Sequence, residues 1–211
     1  MFHKIVADVD EDIQLVPNIT TLVSQLQHNQ LWHSYTSHSF RNLKITGTIS
    51  LFSPIPAKDF KAFWSLPLLL PARNHWYRVL SKKLPTATYL HKIGTVSSTL
   101  CRLCGSAAED FEHFVVSCPN KNLIWSMVLK YHFPTYLFTK TDILNALHSI
   151  KSPFHHRSNL YRPFFVIVST TQFYIWKAYW QLVIDSIPFT SDAIVTTINR
   201  QIHILLNRIS D

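Results

Sequence analysis

The stretch Cys101-Arg102-Leu103-Cys104-Gly105, followed by His113 and then Cys118-Pro119, decides how this chain is read. It contains all three cysteines of a 211-residue chain, arranged with one histidine as C-x2-C-x8-H-x4-C. Thiols confined to one short window at this spacing point to a metal site. Structural Zn2+ takes four ligands, mostly Cys thiolate and His nitrogen, at tetrahedral geometry. Cys101, Cys104, His113 and Cys118 are therefore the candidate zinc ligands. Two residues between the first pair let both sulfurs face one ion while backbone N–H groups donate to them, and Gly105 permits the tight turn that follows. The alternative is three buried reduced cysteines and a surface histidine, since free Cys is a common core residue. Four protein ligands describe a closed structural site, whereas a catalytic zinc keeps one position open.

Immediately downstream, Glu109 and Asp110 make an acidic first turn, and Phe111, Phe114 and Val115 recur at helical spacing. This predicts a short helix that carries His113 and stops at Pro119. Upstream, Pro56 opens a helix bearing Phe60, Phe63 and Trp64, and a second helix follows Pro71. At 100° per residue the second helix places Trp76, Tyr77, Leu80 and Leu84 on one side and His75, Arg78 and Lys82 on the other. The basic side is either a solvated face or a surface for a polyanion. Pro85 starts a short helix through Leu90, with Gly94 as its C-terminal cap.

Beyond the array, Asn120 precedes a helix with Leu123, Ile124, Met127, Val128 and Tyr131 as an apolar stripe, ended by Pro134. Trp125 lies off that stripe and either packs on the zinc module or stacks a base. Thr141 caps a further helix, 152–159 reads as a basic loop, 161–187 as a central buried helix, and Ser191 caps a last helix. Near the N-terminus, Asn18 caps a helix, and 43–51 alternates apolar and polar residues as a half-buried strand. That strand must pair with a distant strand or another protein, or mark where a larger domain was cut. The fold class is mainly α: a helical module with an embedded CCHC zinc knuckle and at most one or two short N-terminal strands. Three regions are expected: 1–55, a helix plus a strand; 56–135, the zinc module; and 136–211, a C-terminal helical region.

Lys and Arg number 20 against 12 Asp and Glu, a formal charge of +8, which suits RNA or DNA as a partner. No cysteines remain for a disulfide framework, which indicates a reducing compartment, nucleus or cytoplasm. No signal peptide opens the sequence, and the apolar run 163–184 is interrupted by Gln172, Lys177 and Gln181, so no membrane span is expected. Three glycines and the absence of G-x-G-x-x-G and G-x4-G-K-[ST] exclude nucleotide-binding glycine loops.

Taken together, Phe63-Trp64, His75-Trp76-Tyr77-Arg78-Val79-Leu80, Lys83-Leu84-Pro85-Thr86, Leu90, Gly94, the C-x2-C pair, Glu112-His113, Cys118-Pro119 and Ile124-Trp125 form an ordered set. Over about residues 60–130 this set resembles the zinc-binding region C-terminal to the reverse transcriptase of LINE-type, non-LTR retrotransposons. The resemblance implies a part of a retroelement polyprotein, with Cys101, Cys104, His113 and Cys118 as ligands, that helps hold template RNA or target DNA beside a separate or upstream polymerase. One departure stands out: Glu112 adjoins His113 where many members space the acid further upstream, and Glu109 is the other candidate for that position.

Catalysis is not expected. Polymerase and nuclease chemistry need clustered carboxylates around metal ions. Asp8 and Asp10 sit with no preceding palm, and after Cys118 the acids are only Asp142, Asp185, Asp192 and Asp211, widely spaced. No G-x-S-x-G occurs. Phosphate contacts are expected from Arg73, His75, Arg78, Lys82, Lys83 and Arg102. The rival expectation is a zinc-stapled helical scaffold for protein–protein interaction, and a third is a decayed element fragment without activity.

Overall fold

A computed structural model describes residues 57–210. The N-terminal helix, the strand over 43–51 and the Asp8/Asp10 pair lie outside the described residues. The described chain is helical, with no strand and a single isolated antiparallel bridge between Leu100 and Ala108. In order come α1 (Ala57–Ser65), α2 (Leu70–Leu80), α3 (Ala87–Lys92), a π-helical turn (His113–Ser117), α4 (Pro119–His132), α5 (Lys140–Ser149), α6 (Tyr161–Asp185) and α7 (Ser191–Ser210). No helix among them is long and apolar enough to cross a membrane.

Proline sets several of these starts, because its fixed φ suits the first helical turn and its missing N–H is not needed there. Pro71 stands at the start of α2 and Pro119 at the start of α4. Pro119 therefore opens a helix, and the preceding turn ends because Cys118 is already extended, at φ −61° and ψ 127°. The cap of α5 is Thr139, two residues earlier than expected at Thr141: its hydroxyl accepts from Asp142 N–H while the Asp142 carboxylate accepts from Thr139 N–H.

Glycine is scarce, so helix ends that usually recruit it use other residues. Lys82, Ile150 and Ser186 follow α2, α5 and α6 with φ of 52°, 53° and 56°. A left-handed backbone costs a non-glycine residue about 1–2 kcal/mol. The end of α2 is a Schellman motif, in which Lys83 N–H donates to Arg78 C=O at 2.9 Å and Lys82 N–H to Val79 C=O at 3.0 Å.

The helix α6 is central and packs against α2, α4, α5 and α7. Residues 164–172 are all buried, as expected for a helix covered on every side. One hydrophobic cluster runs from Phe63 and Trp76 through Trp125 and Phe165 to Ile202, so helices on both sides of residue 135 share a core. Trp76 donates its indole N–H to Leu147 C=O at 2.9 Å, joining α2 to the end of α5. Trp125 is fully buried and donates to Val115 C=O at 3.1 Å, so it packs rather than stacks a base. A second aromatic group, Phe133, Phe138, Phe154 and Phe164, seals the far end of α4.

Candidate metal centre

Cys101 and Cys104 come from the loop after α3, His113 from the start of the π-helical turn, and Cys118 from its end. The loop is shaped by the bridge at Leu100–Ala108, by Gly105 N–H donating to Cys101 C=O at 2.8 Å, and by the left-handed Gly105 at φ 67°. Asp110 starts the turn by accepting from His113 N–H at 2.8 Å. His113 and Cys118 are five positions apart, which in an α-helix would offset them by about 140°. The wider π turn, closed by Cys118 N–H to His113 C=O at 3.2 Å, brings both to one side.

The four ligand atoms lie within 4.8 Å of one another. Cys101 Sγ and Cys118 Sγ are 4.0 Å apart, and Cys104 Sγ and His113 Nε2 are 3.3 Å apart. Tetrahedral zinc with ordinary bond lengths sets S···S and S···N edges of about 3.5–3.8 Å. The donor set and its spacing therefore fit Zn2+, and no disulfide joins the three thiols. The ion would cross-link the loop to the start of α4.

Local dipoles favour thiolates here. Cys118 precedes α4, and its thiol is held down at about 7, first by the hydrogen bond from the Cys101 thiol and then by the N–H groups of Lys121 and Asn120. Burial opposes this. Cys101 is pushed well up, chiefly because its proton is shared with Cys118, although the N–H groups of Cys104 and Leu103 act the other way. Those N–H contacts are the ones that the C-x2-C spacing leads one to expect.

Behind the ligands lies a charged network that sequence reasoning missed. Lys121 and Glu109 are both completely buried, with Nζ and Oε2 3.9 Å apart. The Lys121 ammonium donates to Phe114 C=O at 2.8 Å and sits 4.1 Å and 4.3 Å from the ring centres of Phe114 and Tyr179. Burial lowers its pKa, while Glu109 and the three cysteines raise it. Glu109 Oε1 accepts from Ala87 N–H at 3.1 Å and from the Tyr179 hydroxyl at 3.0 Å. Burial and this carboxylate hold the Tyr179 hydroxyl far above its ordinary range. Glu109 thus joins α3, α4 and α6 instead of sitting in an exposed acidic turn. A lysine after Cys118-Pro119-Asn120 carries no sequence signal that separates burial from solvation.

The expected phosphate contacts divide. Arg78, Lys82, Lys83 and Arg102 are exposed. Lys82 and Lys83 line one groove, and Arg102 lines another with Ser97 and Ser98. Arg73 is half-buried, donating to Leu66 C=O at 2.6 Å with its guanidinium 5.8 Å from the Trp64 ring centre. His75 is 3% exposed and does not share the solvent face with Arg78. It lies 4.7 Å from Trp176 and 3.4 Å from Gln172 Nε2, and burial, then Arg78, lower its pKa to about 3. It is a neutral core residue. Tyr77, expected on the apolar side, is 44% exposed.

Residues 35–125 match the protein family described as zinc-binding in reverse transcriptase. The matched stretch includes all four candidate ligands, and the family's description is of a zinc-binding region. No curated protein and no solved structure matches the chain.

Proposed function

We propose that this zinc-binding region serves a LINE-type retroelement reverse transcriptase without catalysing a reaction itself, and that it holds template RNA or target DNA. The observation that carries this reading is the Cys101/Cys104/His113/Cys118 cluster lying inside the reverse-transcriptase family match. The excess of cations and the exposure of Arg78, Lys82, Lys83 and Arg102 support a polyanionic partner. Zinc fixes the loop bearing Arg102 and the segment leading into α4, so its role is architectural. The partners in this reading are RNA or DNA and a separate or upstream polymerase, in the nucleus or cytoplasm.

Filter binding of the zinc-loaded full chain to RNA and single-stranded DNA over a salt series tests this. The expected result is binding at low salt that weakens steeply as salt rises, because phosphate contacts release counterions. Absent or salt-insensitive binding sinks it. The scaffold reading has its own support in large apolar side chains that stay exposed, Leu137 at 93% and Ile184 at 72%. Replacing Arg78, Lys82 and Lys83 together separates the two, since a scaffold keeps its protein partner and a nucleic-acid binder loses affinity.

A further inference from the structure

The groove beside the end of α2 combines features that neither charge nor fold requires. It has a volume of about 460 Å³ and is lined by Lys82, Lys83, Pro85, Tyr89 and Phe111, among others. Lys82 and Lys83 are the two residues of the Schellman turn that point the chain away from α2. Lys82 holds the left-handed conformation that glycine adopts without strain, so a lysine here is not what the turn itself selects. Neither lysine is paired with a carboxylate among the described residues. Tyr89, on α3, is 54% exposed. Phe111, two residues before His113, is half-buried and lies 4.5 Å from the His148 ring of α5. Lys82 and Glu112 both act on His148, with opposite sign.

We infer that this groove is where an unpaired segment of nucleic acid is held, its phosphates on Lys82 and Lys83 and a base on the face of Tyr89. The inference rests on the nucleic-acid reading above and gives it a place and a strand form. An unpaired nucleotide offers a flat π-face and a phosphate within one residue, which matches an exposed aromatic ring beside two unpaired cations. A duplex keeps its base faces stacked inside, and an acidic peptide supplies charge without the flat face.

The test is fluorescence anisotropy with labelled oligothymidylate and oligouridylate on the zinc-loaded full chain, over a salt series, with a hairpin duplex and polyglutamate as competitors. Tyr89→Leu is expected to weaken single-strand binding about 5- to 100-fold, and Tyr89→Phe to restore it. Lys82→Gly is expected to lower the salt slope by about 1 while leaving the melting temperature equal or higher, which separates lost charge from lost fold. If the wild type binds single strands but Tyr89→Leu and Lys82→Gly bind as well as it does, the groove inference fails and the broader reading survives through Arg78 or Arg102. If the wild type binds no nucleic acid at low salt, both fall. Equal competition by duplex or polyglutamate overturns the single-strand assignment in favour of a general anion surface.

Discussion

The zinc side of the molecule, residues 84–118, and the helical core built on α6 are held together by different physics. On the zinc side no regular element exceeds six residues, and its ties are the ligand atoms, one bridge, the Glu109 carboxylate and the few apolar side chains, Phe114, Val115 and Val116, that it sends into the core. The core rests on a 25-residue helix and aromatic side chains in mutual contact. Six-residue helices do not hold themselves in water. The zinc side therefore leans on its ion beyond what its few buried side chains supply, and the core depends on buried area. They meet at Lys121, Glu109 and Tyr179, a charged junction in an apolar setting.

The sharpest way to break the comparison is to remove the ion. Chelation, or Cys118→Ala, is expected to abolish zinc stoichiometry by metal analysis, with a loss on the scale of structural zinc binding, about 10–16 kcal/mol. Hydrogen exchange should then rise over residues 95–118 while α6 and α7 stay protected; uniform loss of protection would mean that the two regions form one cooperative unit. Next is the junction. Lys121→Ala leaves Glu109 buried and unpaired and is expected to cost about 3–5 kcal/mol in denaturant unfolding. Lys121→Met with Glu109→Gln should recover most of that, and failure to recover would assign the cost to packing.

The core carries a smaller, pH-dependent effect. His75 is neutral when folded, with a pKa of about 3 against an ordinary value of 6.5. Below pH 6.5 the unfolded chain binds a proton that the folded chain refuses, so stability is complete above that value. It falls by about 1 kcal/mol per pH unit as pH drops toward 3. His75→Phe should flatten this slope in the zinc-loaded protein, and an unchanged slope would place acid sensitivity wholly on the zinc side. The smallest effect is expected at Ser186→Gly. Relief of the left-handed strain should raise stability by about 0.5–1 kcal/mol, read as a small rise in melting temperature.

The zinc side was largely legible in the sequence because its determinants are close together. Four ligands within 18 positions leave few alternatives, and Gly105 marks its own turn. Helix existence was legible from proline positions and periodicity, although Thr139 rather than Thr141 caps α5 because only Thr139 has Asp142 three residues ahead of it. What was not legible depends on distant partners. His75 reads as part of a basic face until Gln172 and Trp176, about 100 residues later, cover it. Nothing in the sequence local to Lys121 announces that Glu109 and Tyr179 enclose it. The π turn was hidden for another reason: a helical period names a face and does not reveal one extra residue per turn.

The Tyr179–Glu109 hydrogen bond also fixes an order of events during synthesis. All four zinc ligands have been made by residue 118, but the tyrosine that closes the network comes about 60 residues later, roughly 3–12 s at ordinary translation rates. The ligands all belong to one local segment, whereas the burial of Lys121 must wait for α6. The residues that would hold the ion are thus complete in the chain well before the helix that encloses Lys121 beside them.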